Sequence, residues 1–428
     1  MTRIIAPLIA LLPVAVAIVA ALPVAIADDR LTNYRLTHDR LAQAEAARPA
    51  IVEGGGVARS LRLLTFNVEH QMSAERFDAW LRYCEPARWQ DPIDPATGRS
   101  RRPESLTYCN ALDGTDGRGN RLFAPVHSAA QRLAKRDALR ALIAQAQADI
   151  VLLQEVSDAA SARELLGDEY TVVSTAESPG APGQAPIAQN IAIGWRTTAP
   201  LPVSDPEVVT GLSQGGADGR RTRPGLAVTV TLAGGMRVAI LNVHLKAGCR
   251  MGRLDEAPSR DPARAERRES DCRVFQRQVP ALEDWVDRKL GLGYGVVVAG
   301  DFNRDLLHEI RERLPARNDG SPRGDPPRDP GRIASLLAEI SDEAPYAAWF
   351  SLVRTGDYPK QSQCHRAIDQ FIVSRNVEPL LDKPLREHRV RVLPFAEPIT
   401  LDRVRPSDHC PHLLALGLGH GTQRRIGR

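Results

Sequence analysis

The chain has 428 residues, of which 43% are hydrophobic and 25% are charged, an ordinary composition for a globular protein with a large core. The 56 basic and 52 acidic residues leave a net charge of only +4, and the arginines are interleaved with Asp and Glu along the chain. The net charge of the chain therefore does not identify its partner, which has to be inferred from motifs.

A secretory signal peptide is predicted over residues 1–27. Met1-Thr2-Arg3 precede a long apolar run, and Ala25-Ile26-Ala27 forms an A-x-A cleavage site before Asp28. The run is long enough for an uncleaved membrane anchor, but its prolines and the small residues before Asp28 favour cleavage. Either outcome places the domain outside the cytoplasm, secreted or periplasmic, and no stable membrane insertion of the mature chain is expected.

The main domain is predicted to begin near residue 60. Residues 28–59 are expected to form a surface helix and a flexible joint at Gly54-Gly55-Gly56. The first strand, residues 61–68, ends in Asn67. An insertion over residues 71–127 then combines arginines with aromatic residues, which either form a small core beneath a disulfide-bonded loop or stack on bases.

A helix over residues 129–148 leads into a buried strand, residues 149–156, which carries Glu155 near its end. Strands are predicted over residues 170–174 and 190–196. A hairpin follows over residues 226–232 and 238–245, turning at Gly234-Gly235. It ends with Asn242 and His244 on one face of the strand, although a lone histidine there is more often structural than catalytic.

Residues 249–272 are predicted to be a second insertion, a charge-dense solvated loop before a helix over residues 274–290. The β-branched run Val296-Val297-Val298 then predicts a buried strand. Asp301 and Asn303 follow it on the same side of an extended chain. They offer oxygens to a cation and a donor to a phosphate, or they form an ordinary polar turn.

The last third of the chain contains a further insertion at residues 317–332, which is expected to be a mobile loop between two helices. A strand over residues 365–374 holds Asp369. Ser407-Asp408-His409 precede the final strand, which ends at residue 416. Residues 418–428 are expected to be a frayed basic tail.

Six cysteines fit an exported protein with disulfides, and six allow fifteen pairings. A C-x-x-C pair is absent from the sequence, which argues against a zinc site. Cys249 and Cys272 stand at the two ends of the charge-dense loop and could be joined.

Six motifs at strand edges occur in a fixed order: Phe66-Asn67-Val68, Leu153-Gln154-Glu155-Val156, Asn242-Val243-His244-Leu245, Gly300-Asp301-Phe302-Asn303, Ile368-Asp369 and Ser407-Asp408-His409. Together they resemble the endonuclease/exonuclease/phosphatase superfamily, over about residues 61–416. The resemblance implies a four-layer α/β sandwich, in which two mixed β-sheets pack face to face between outer helices. It also implies Mg²⁺-assisted hydrolysis of a phosphate ester without a covalent intermediate, with Mn²⁺ or Ca²⁺ as alternative metals.

The resemblance also implies roles for the matching residues. Asn67 and Glu155 would hold the metal, a sparse ligand set that suits Mg²⁺. Asp301 and Asn303 would orient the attacking water or contact the phosphate. His409, supported by Asp408, would act as the base or contact the phosphate, and His244 would stabilise or protonate the other side. Asp369 would support a histidine or a metal position.

Two further expectations follow from the resemblance. Gln189 occupies the place where related nucleases have a glutamate that supports the histidine matching His244, so a neutral partner is expected there. The segments holding Cys364 and Cys410 lie close together in the family, which predicts a disulfide between them. Cys84–Cys109 and Cys249–Cys272 are then expected to close local loops.

The function predicted from these residues is an exported nuclease that cuts DNA, with RNA as the alternative nucleic acid, and that acts as a monomer. A lipid phosphodiesterase of the sphingomyelinase kind is the alternative, but the apolar hairpin that such enzymes insert into membranes is not evident. A binding module on the same fold is a third alternative. The complete set of polar strand-end residues argues against it.

Overall fold

The computed structural model describes residues 60–418 except 87–88, 99, 117, 178–186, 200, 205, 216–219, 257–261, 316–331, 342–349, 359–363, 365–367 and 396–398. The predicted signal peptide, N-terminal helix, glycine joint and tail beyond residue 418 lie outside these residues. So does nearly all of the loop predicted over 317–332. None of the described helices is both long and apolar enough to cross a membrane.

The first of two sheets has six strands in the order β11-β12-β1-β2-β4-β3. Strands β1 and β2 run parallel, and the other neighbours are antiparallel. The strand bounds are β1 Ser60–Gln71, β2 Ile150–Val156, β3 Tyr170–Ser174, β4 Asn190–Arg196, β11 Arg391–Val392 and β12 His412–Gly417.

The second sheet also has six strands, in the order β5-β6-β7-β8-β10-β9. Here β7 and β8 form the parallel pair, and the other neighbours are antiparallel. The strand bounds are β5 Glu207–Val209, β6 Gly225–Thr231, β7 Arg237–His244, β8 Gly295–Asp301, β9 Phe350–Val353 and β10 Asp369–Ser374.

The described helices include α1 Ala74–Cys84, α2 Ala129–Ala146, α3 Ala159–Leu166, α4 Pro262–Gly291, α5 Leu306–Arg311 and α6 Leu336–Glu339. Leu63 of β1 and Val297 of β8 share one buried core between the two sheets. On the outer faces, Leu64 packs in a core with α2 and α3, while Val298 packs in a core with α4. Strands covered on both faces explain the continuous apolar runs, and the predicted four-layer sandwich is confirmed.

Some predicted boundaries are wrong. The second half of the loop predicted over 250–271 is helical, because α4 begins at Pro262 rather than near residue 274. Proline is well suited to the first turn of a helix, and the Arg, Glu and Ala residues that follow favour helix over loop. For the strand predicted over residues 365–374 with Asp369 at its start, the described strand is Asp369–Ser374, and residues 365–367 lie outside the described residues. The short edge strands β5, β9 and β11 were not predicted.

The insertion over residues 71–127 forms a small core of its own. Phe77 and Trp80 of α1 are buried in it, and Trp89 stacks on His127 with ring centroids 3.6 Å apart. This confirms the interpretation of most of the aromatics as a core beneath a disulfide-bonded loop. Tyr108 is different, because 43% of this residue is exposed.

All three predicted cysteine pairs are disulfides in the structure: Cys84–Cys109, Cys249–Cys272 and Cys364–Cys410. Their Cα atoms lie 5.3, 5.2 and 5.4 Å apart, well within the reach of the bond. All six cysteines lie among the described residues, and none is free.

Candidate active site

Polar side chains leave neighbouring strands at one edge of the two sheets. In the second sheet, His244 at the end of β7 lies beside Asp301 of β8, and Asp369 of β10 lies on the other side of Asp301. In the first sheet, the parallel strands β1 and β2 carry Asn67 and Glu155 toward corresponding ends. The fold therefore brings together polar residues that are up to three hundred positions apart in sequence.

The two sheets are joined by hydrogen bonds just below this edge. Gln154 Nε2 donates to Asn242 Oδ1 at 2.7 Å, and Asn242 Nδ2 donates to the carbonyl of Leu153 at 3.0 Å. Gly300 has a φ of +142°, and a Cβ there would clash with the backbone carbonyl of Val243. The side chains of Gln154 and Asn242 thus fix how the two sheets align, and Gly300 permits the close approach of β7 to β8.

Asp301 lies at the centre of the site and is only 1% exposed. Its Oδ2 accepts a hydrogen bond from Asn67 Nδ2 at 3.0 Å, and its Oδ1 accepts one from the backbone N–H of Asn303 at 2.7 Å. The Nε2 atoms of His244 and His409 lie 3.4 and 3.8 Å from Oδ2. Burial raises the pKa of Asp301 to about 7, although the charge of His409 opposes the rise.

His409 is paired with Asp369, whose Oδ2 lies 2.6 Å from Nδ1 of the ring. The structure differs here from the expectation that Asp408 supports His409, since Asp408 Oδ1 lies 3.8 Å from Nε2. Burial alone would lower the pKa of His409, but the carboxylates of Asp369 and Asp301 outweigh it and hold the pKa well above 6.5. The two carboxylates thus favour the imidazolium form of His409, which suits a phosphate contact or a proton donor better than a base.

His244 has the opposite character. Burial, reinforced by the charges of Arg223 and His409, places the pKa of His244 well below 6.5. Its buried Nδ1 has no hydrogen-bond partner among the described residues. Gln189, expected to be its neutral partner, instead has its amide 3.2 Å from His70 Nδ1 and accepts a hydrogen bond from Arg223. The surroundings of the two histidines thus shift their pKa values in opposite directions.

Asn67 and Glu155 are suitable ligands for a divalent cation. Glu155 lines the pocket with its carboxylate, whose Oε2 accepts a hydrogen bond from the His70 amide at 3.2 Å. Asn67 Oδ1 accepts a hydrogen bond from the Glu69 amide at 3.0 Å and retains a second lone pair. One carboxylate and one amide oxygen leave room for water and substrate oxygens, which Mg²⁺ prefers.

Asp301, Asp369 and His409 form a second candidate group, whose ligand atoms all lie within 4.8 Å of one another. Its histidine is a poor ligand, because Nδ1 is occupied by Asp369. Asp369 Oδ1 is buried without a hydrogen-bond partner among the described residues, so this group still offers one open carboxylate oxygen. Of the two sites, the Asn67–Glu155 pair fits a cation better.

The backbone at the strand ends adopts a conformation that side chains disfavour. Glu69, His70, Glu155 and Asn303 have φ values of 47°, 54°, 62° and 51°. Non-glycine residues in this left-handed region cost free energy and persist where surrounding contacts hold them. Here the strained positions coincide with the bend in β1 and with two of the predicted site residues, Glu155 and Asn303.

A buried ion network anchors the segment that precedes His409. Lys135 of α2 is 1% exposed, lies 3.5 Å from Glu69 Oε2, and donates a hydrogen bond to the carbonyl of Pro406. Arg405 donates to the other oxygen of Glu69. The network thus joins the strand that carries Asn67 to the segment that carries His409, and single-sequence motifs did not reveal it.

A pocket of about 360 Å³ opens at this site, and the predicted site residues Asn67 and Asp369 lie outside its lining. Its lining includes Glu155, His244, Asp301, Asn303, Asp408 and His409 from the predicted set, together with Tyr108, Gln189, Arg223 and Arg250. Arg223 was not predicted as a site residue, although it lies just before the predicted hairpin, whose pairing could have placed it at the site. Leu226 pairs with Asn242, so residues just before β6 must lie beside His244.

Replacing Asp369 with asparagine is expected to lower the pKa of His409, because Asp369 is the strongest of the charges that raise it. The pKa of His409 is higher in the folded protein than the unfolded value of 6.5, so protonation of the ring stabilises the fold. This stabilisation is complete at pH values below 6.5. It is lost as the pH rises through the folded-state pKa. The difference in unfolding free energy between the wild type and Asp369→Asn should therefore be largest at about pH 6 and should narrow at alkaline pH. NMR titration of the His409 ring and urea unfolding across this range measure both effects.

Asp408→Asn is the matched control for this prediction. The substitution is the same and the carboxylate neighbours the same ring, but its contribution to the raised pKa is smaller than that of Asp369. A larger fall in the pKa of His409 in Asp408→Asn than in Asp369→Asn would contradict the assignment of Asp369 as the partner.

Residues 64–409 match the model of the Endonuclease/Exonuclease/phosphatase family. No curated protein matches the sequence. The human Nocturnin catalytic domain, solved with a bound sulfate anion, is similar at 14% identity and a TM-score of 0.41, over 84% of this chain and 95% of its own. TDP2 from C. elegans is similar at 14% identity and a TM-score of 0.40, over 84% and 75% of the respective chains. A protein of this family from Bacteroides thetaiotaomicron has 13% identity and a TM-score of 0.42, over 85% and 100%.

Proposed function

The chain belongs to the endonuclease/exonuclease/phosphatase family, and we propose that it is an exported, Mg²⁺-dependent phosphodiester hydrolase that acts as a nuclease on DNA and on RNA. The observation that carries this proposal is the pair of buried histidines flanking Asp301. Their Nε2 atoms lie 3.4 and 3.8 Å from one carboxylate oxygen, and their pKa values are shifted in opposite directions. Environments that push titratable groups apart in pKa are typical of acid–base chemistry.

The residues divide the work of hydrolysis as follows. Asp301, with a pKa of about 7, can accept a proton from the attacking water, and Asn67 and the Asn303 amide hold its carboxylate in place. The imidazolium of His409 donates a hydrogen bond to a phosphate oxygen, where negative charge develops, and can give its proton to the leaving oxygen as the bond from that oxygen to phosphorus breaks. When bound at Asn67 and Glu155, a divalent cation would supply Lewis-acid stabilisation of the phosphate oxygens.

The wall of the pocket favours a phosphate-rich substrate. Arg223 and Arg250 line it, and a guanidinium matches phosphate oxygens in a bidentate manner. The arginines of the insertion contribute less than their number suggested. Arg102 is buried against Asp91, and Arg101 lies 3.4 Å from Asp94. Contacts to the phosphate backbone of the nucleic acid are therefore expected mainly from two sources. These are the arginines of the pocket wall and the exposed arginines of the insertion, Arg82, Arg118 and Arg121.

Export is supported by the cysteines. Three disulfides that use every cysteine are typical of oxidising compartments and rare in the cytosol. Together with the signal peptide predicted over residues 1–27, they support a secreted or periplasmic location.

The proposal is tested by incubating the purified protein with Mg²⁺ and, in parallel, with supercoiled plasmid DNA, RNA and sphingomyelin vesicles. Nicking of the plasmid is expected, with binding that weakens steeply as salt is raised and counterion release becomes less favourable. His409→Asn, purified in the same way, controls for contaminating nucleases. Turnover of the vesicles without nicking of the plasmid would show that the enzyme is a lipid phosphodiesterase instead.

A further inference from the structure

Tyr108 is a half-exposed aromatic residue at the mouth of the active-site pocket. It is 43% exposed and lines the same pocket as Glu155, Arg223, His244 and Asp301. We propose that the Tyr108 ring is a stacking platform for an unpaired base next to the scissile phosphate, so that the enzyme prefers single-stranded nucleic acid. This inference rests on the proposed nuclease function and names the form of its substrate.

The ring is held in place before any substrate arrives. The His70 and Tyr108 rings form a T-shaped pair with centroids 5.2 Å apart, and the Arg102 guanidinium carbon lies 5.8 Å from the Tyr108 centroid. Trp80 Nε1 donates to the Tyr108 carbonyl at 3.4 Å. The next residue, Cys109, is bonded to Cys84. A ring fixed by these contacts loses little conformational entropy on binding, which makes it an efficient contact surface.

The position of the ring relates it to the reacting phosphate. His70 contacts both the Tyr108 ring and the Glu155 carboxylate, whose Oε2 lies 3.4 Å from His70 Nδ1. Tyr108 is therefore separated from a candidate metal ligand by a single side chain. Because Tyr108 and Glu155 line one pocket, a base attached to the sugar beside a phosphate bound there is placed next to the ring.

Stacking on such a ring discriminates between single and double strands. The faces of bases in a duplex are covered by their neighbours, so a duplex must first unstack and unpair the base, at a cost of a few kcal/mol. An unpaired base has a free face and stacks without that cost, whatever its identity. The expected selectivity is for strand form rather than for sequence.

The pocket is less suited to a choline headgroup. Quaternary ammonium groups are recognised by cages of several aromatic rings. Apart from the histidines, Tyr108 is the only aromatic side chain among the described residues that line this pocket. A single ring beside Arg223 matches a base and its phosphate better than a cation, because the guanidinium would repel a positive headgroup.

The test compares hydrolysis of one oligonucleotide as a single strand and as a blunt duplex, with Mg²⁺, by the wild type, Tyr108→Leu and Tyr108→Phe. The wild type is expected to cleave the single strand at least about fivefold more efficiently than the duplex. Tyr108→Leu should raise KM for the single strand by about fivefold or more, the lower end for one lost base–aromatic stack. Tyr108→Phe keeps the ring and should restore the low KM. Thermal unfolding of each variant shows whether the insertion stays folded.

Tyr294→Leu is a matched control, a partly buried tyrosine just before β8, at the opposite end of the strand from Asp301. It should leave the preference for single strands unchanged. Equal cleavage of single strand and duplex by the wild type, or an unchanged KM in a folded Tyr108→Leu, would overturn the stacking platform while the nuclease function stands. Hydrolysis of sphingomyelin vesicles with no cleavage of either oligonucleotide would overturn both proposals.

Discussion

Replacing His409 with asparagine is expected to reduce turnover at least about 10²-fold, the lower range for a positioned acid–base group. The imidazolium is the charged donor that faces the phosphate, and an amide cannot supply its charge or its proton. Asparagine is preferred to alanine because its amide group can still donate to Asp369, whose Oδ2 lies 2.6 Å from His409 Nδ1. The buried carboxylate then keeps a hydrogen-bond partner and the fold should survive.

His388→Asn is the matched control for this variant. His388 is 5% exposed, and its Nδ1 lies 2.6 Å from Asp382, so it forms a histidine–carboxylate pair of the same length. It does not line the active-site pocket. Steady-state kinetics should show near-wild-type turnover for His388→Asn and the large loss for His409→Asn alone. Equal losses in both variants would show that the effect is one of stability, and near-normal turnover of His409→Asn would contradict its role.

The sequence alone was sufficient to predict the strands that build the site. Runs such as Val296-Val297-Val298 are buried on both faces, which leaves a strong apolar signal in a single sequence. The polar residue that ends such a run, Asp301, then marks the edge of the sheet. Because strand order is shared across the family, the ends of distant strands could be placed together before the structure was known.

The partners of these residues could not be predicted in the same way. Asp408 is the sequence neighbour of His409, but its carboxylate lies 3.8 Å from the Nε2 atom of the ring and not at Nδ1. Asp369 reaches the ring from β10 because that strand lies beside Asp301 in the other sheet. The distance between Asp369 and His409 depends on how the two sheets pack, and a local sequence motif does not contain that information.

The network of Glu69, Lys135 and Arg405 was hidden for a related reason. A lysine in an amphipathic helix is ordinarily solvated, and the sequence around Lys135 contains nothing to mark it as buried. Its environment is set by the bend of β1 at Glu69 and by the return of the chain at Pro406. Likewise, composition could not separate Tyr108 from Phe77 and Trp80, since only the packing of the insertion leaves one ring exposed at the pocket.

Chelation of divalent cations with EDTA is expected to stop hydrolysis, and added Mg²⁺ should restore it. Stabilisation of phosphate charge by a metal is worth several kcal/mol, which corresponds to at least about 10²-fold in rate.

Glu155→Gln should weaken Mg²⁺ binding by at least about tenfold, because it removes the single carboxylate of the Asn67–Glu155 pair. Isothermal titration calorimetry measures the affinity directly. At a Mg²⁺ concentration of about 100 times Kd, binding should also raise the unfolding free energy of the wild type by about 2.7 kcal/mol.

The same titration decides between the two candidate metal positions. If the cation binds at Asn67 and Glu155, Asp369→Asn should retain most of the affinity, because Asp369 belongs to the other group. If it binds among Asp301, Asp369 and His409, Asp369→Asn should lose affinity and Glu155→Gln should not. Glu177→Gln, an exposed carboxylate that lies 3.5 Å from Arg163, controls for the loss of one negative charge. Because Asp369 already occupies Nδ1 of His409, the second position is disfavoured, and the loss of Mg²⁺ binding is expected in Glu155→Gln.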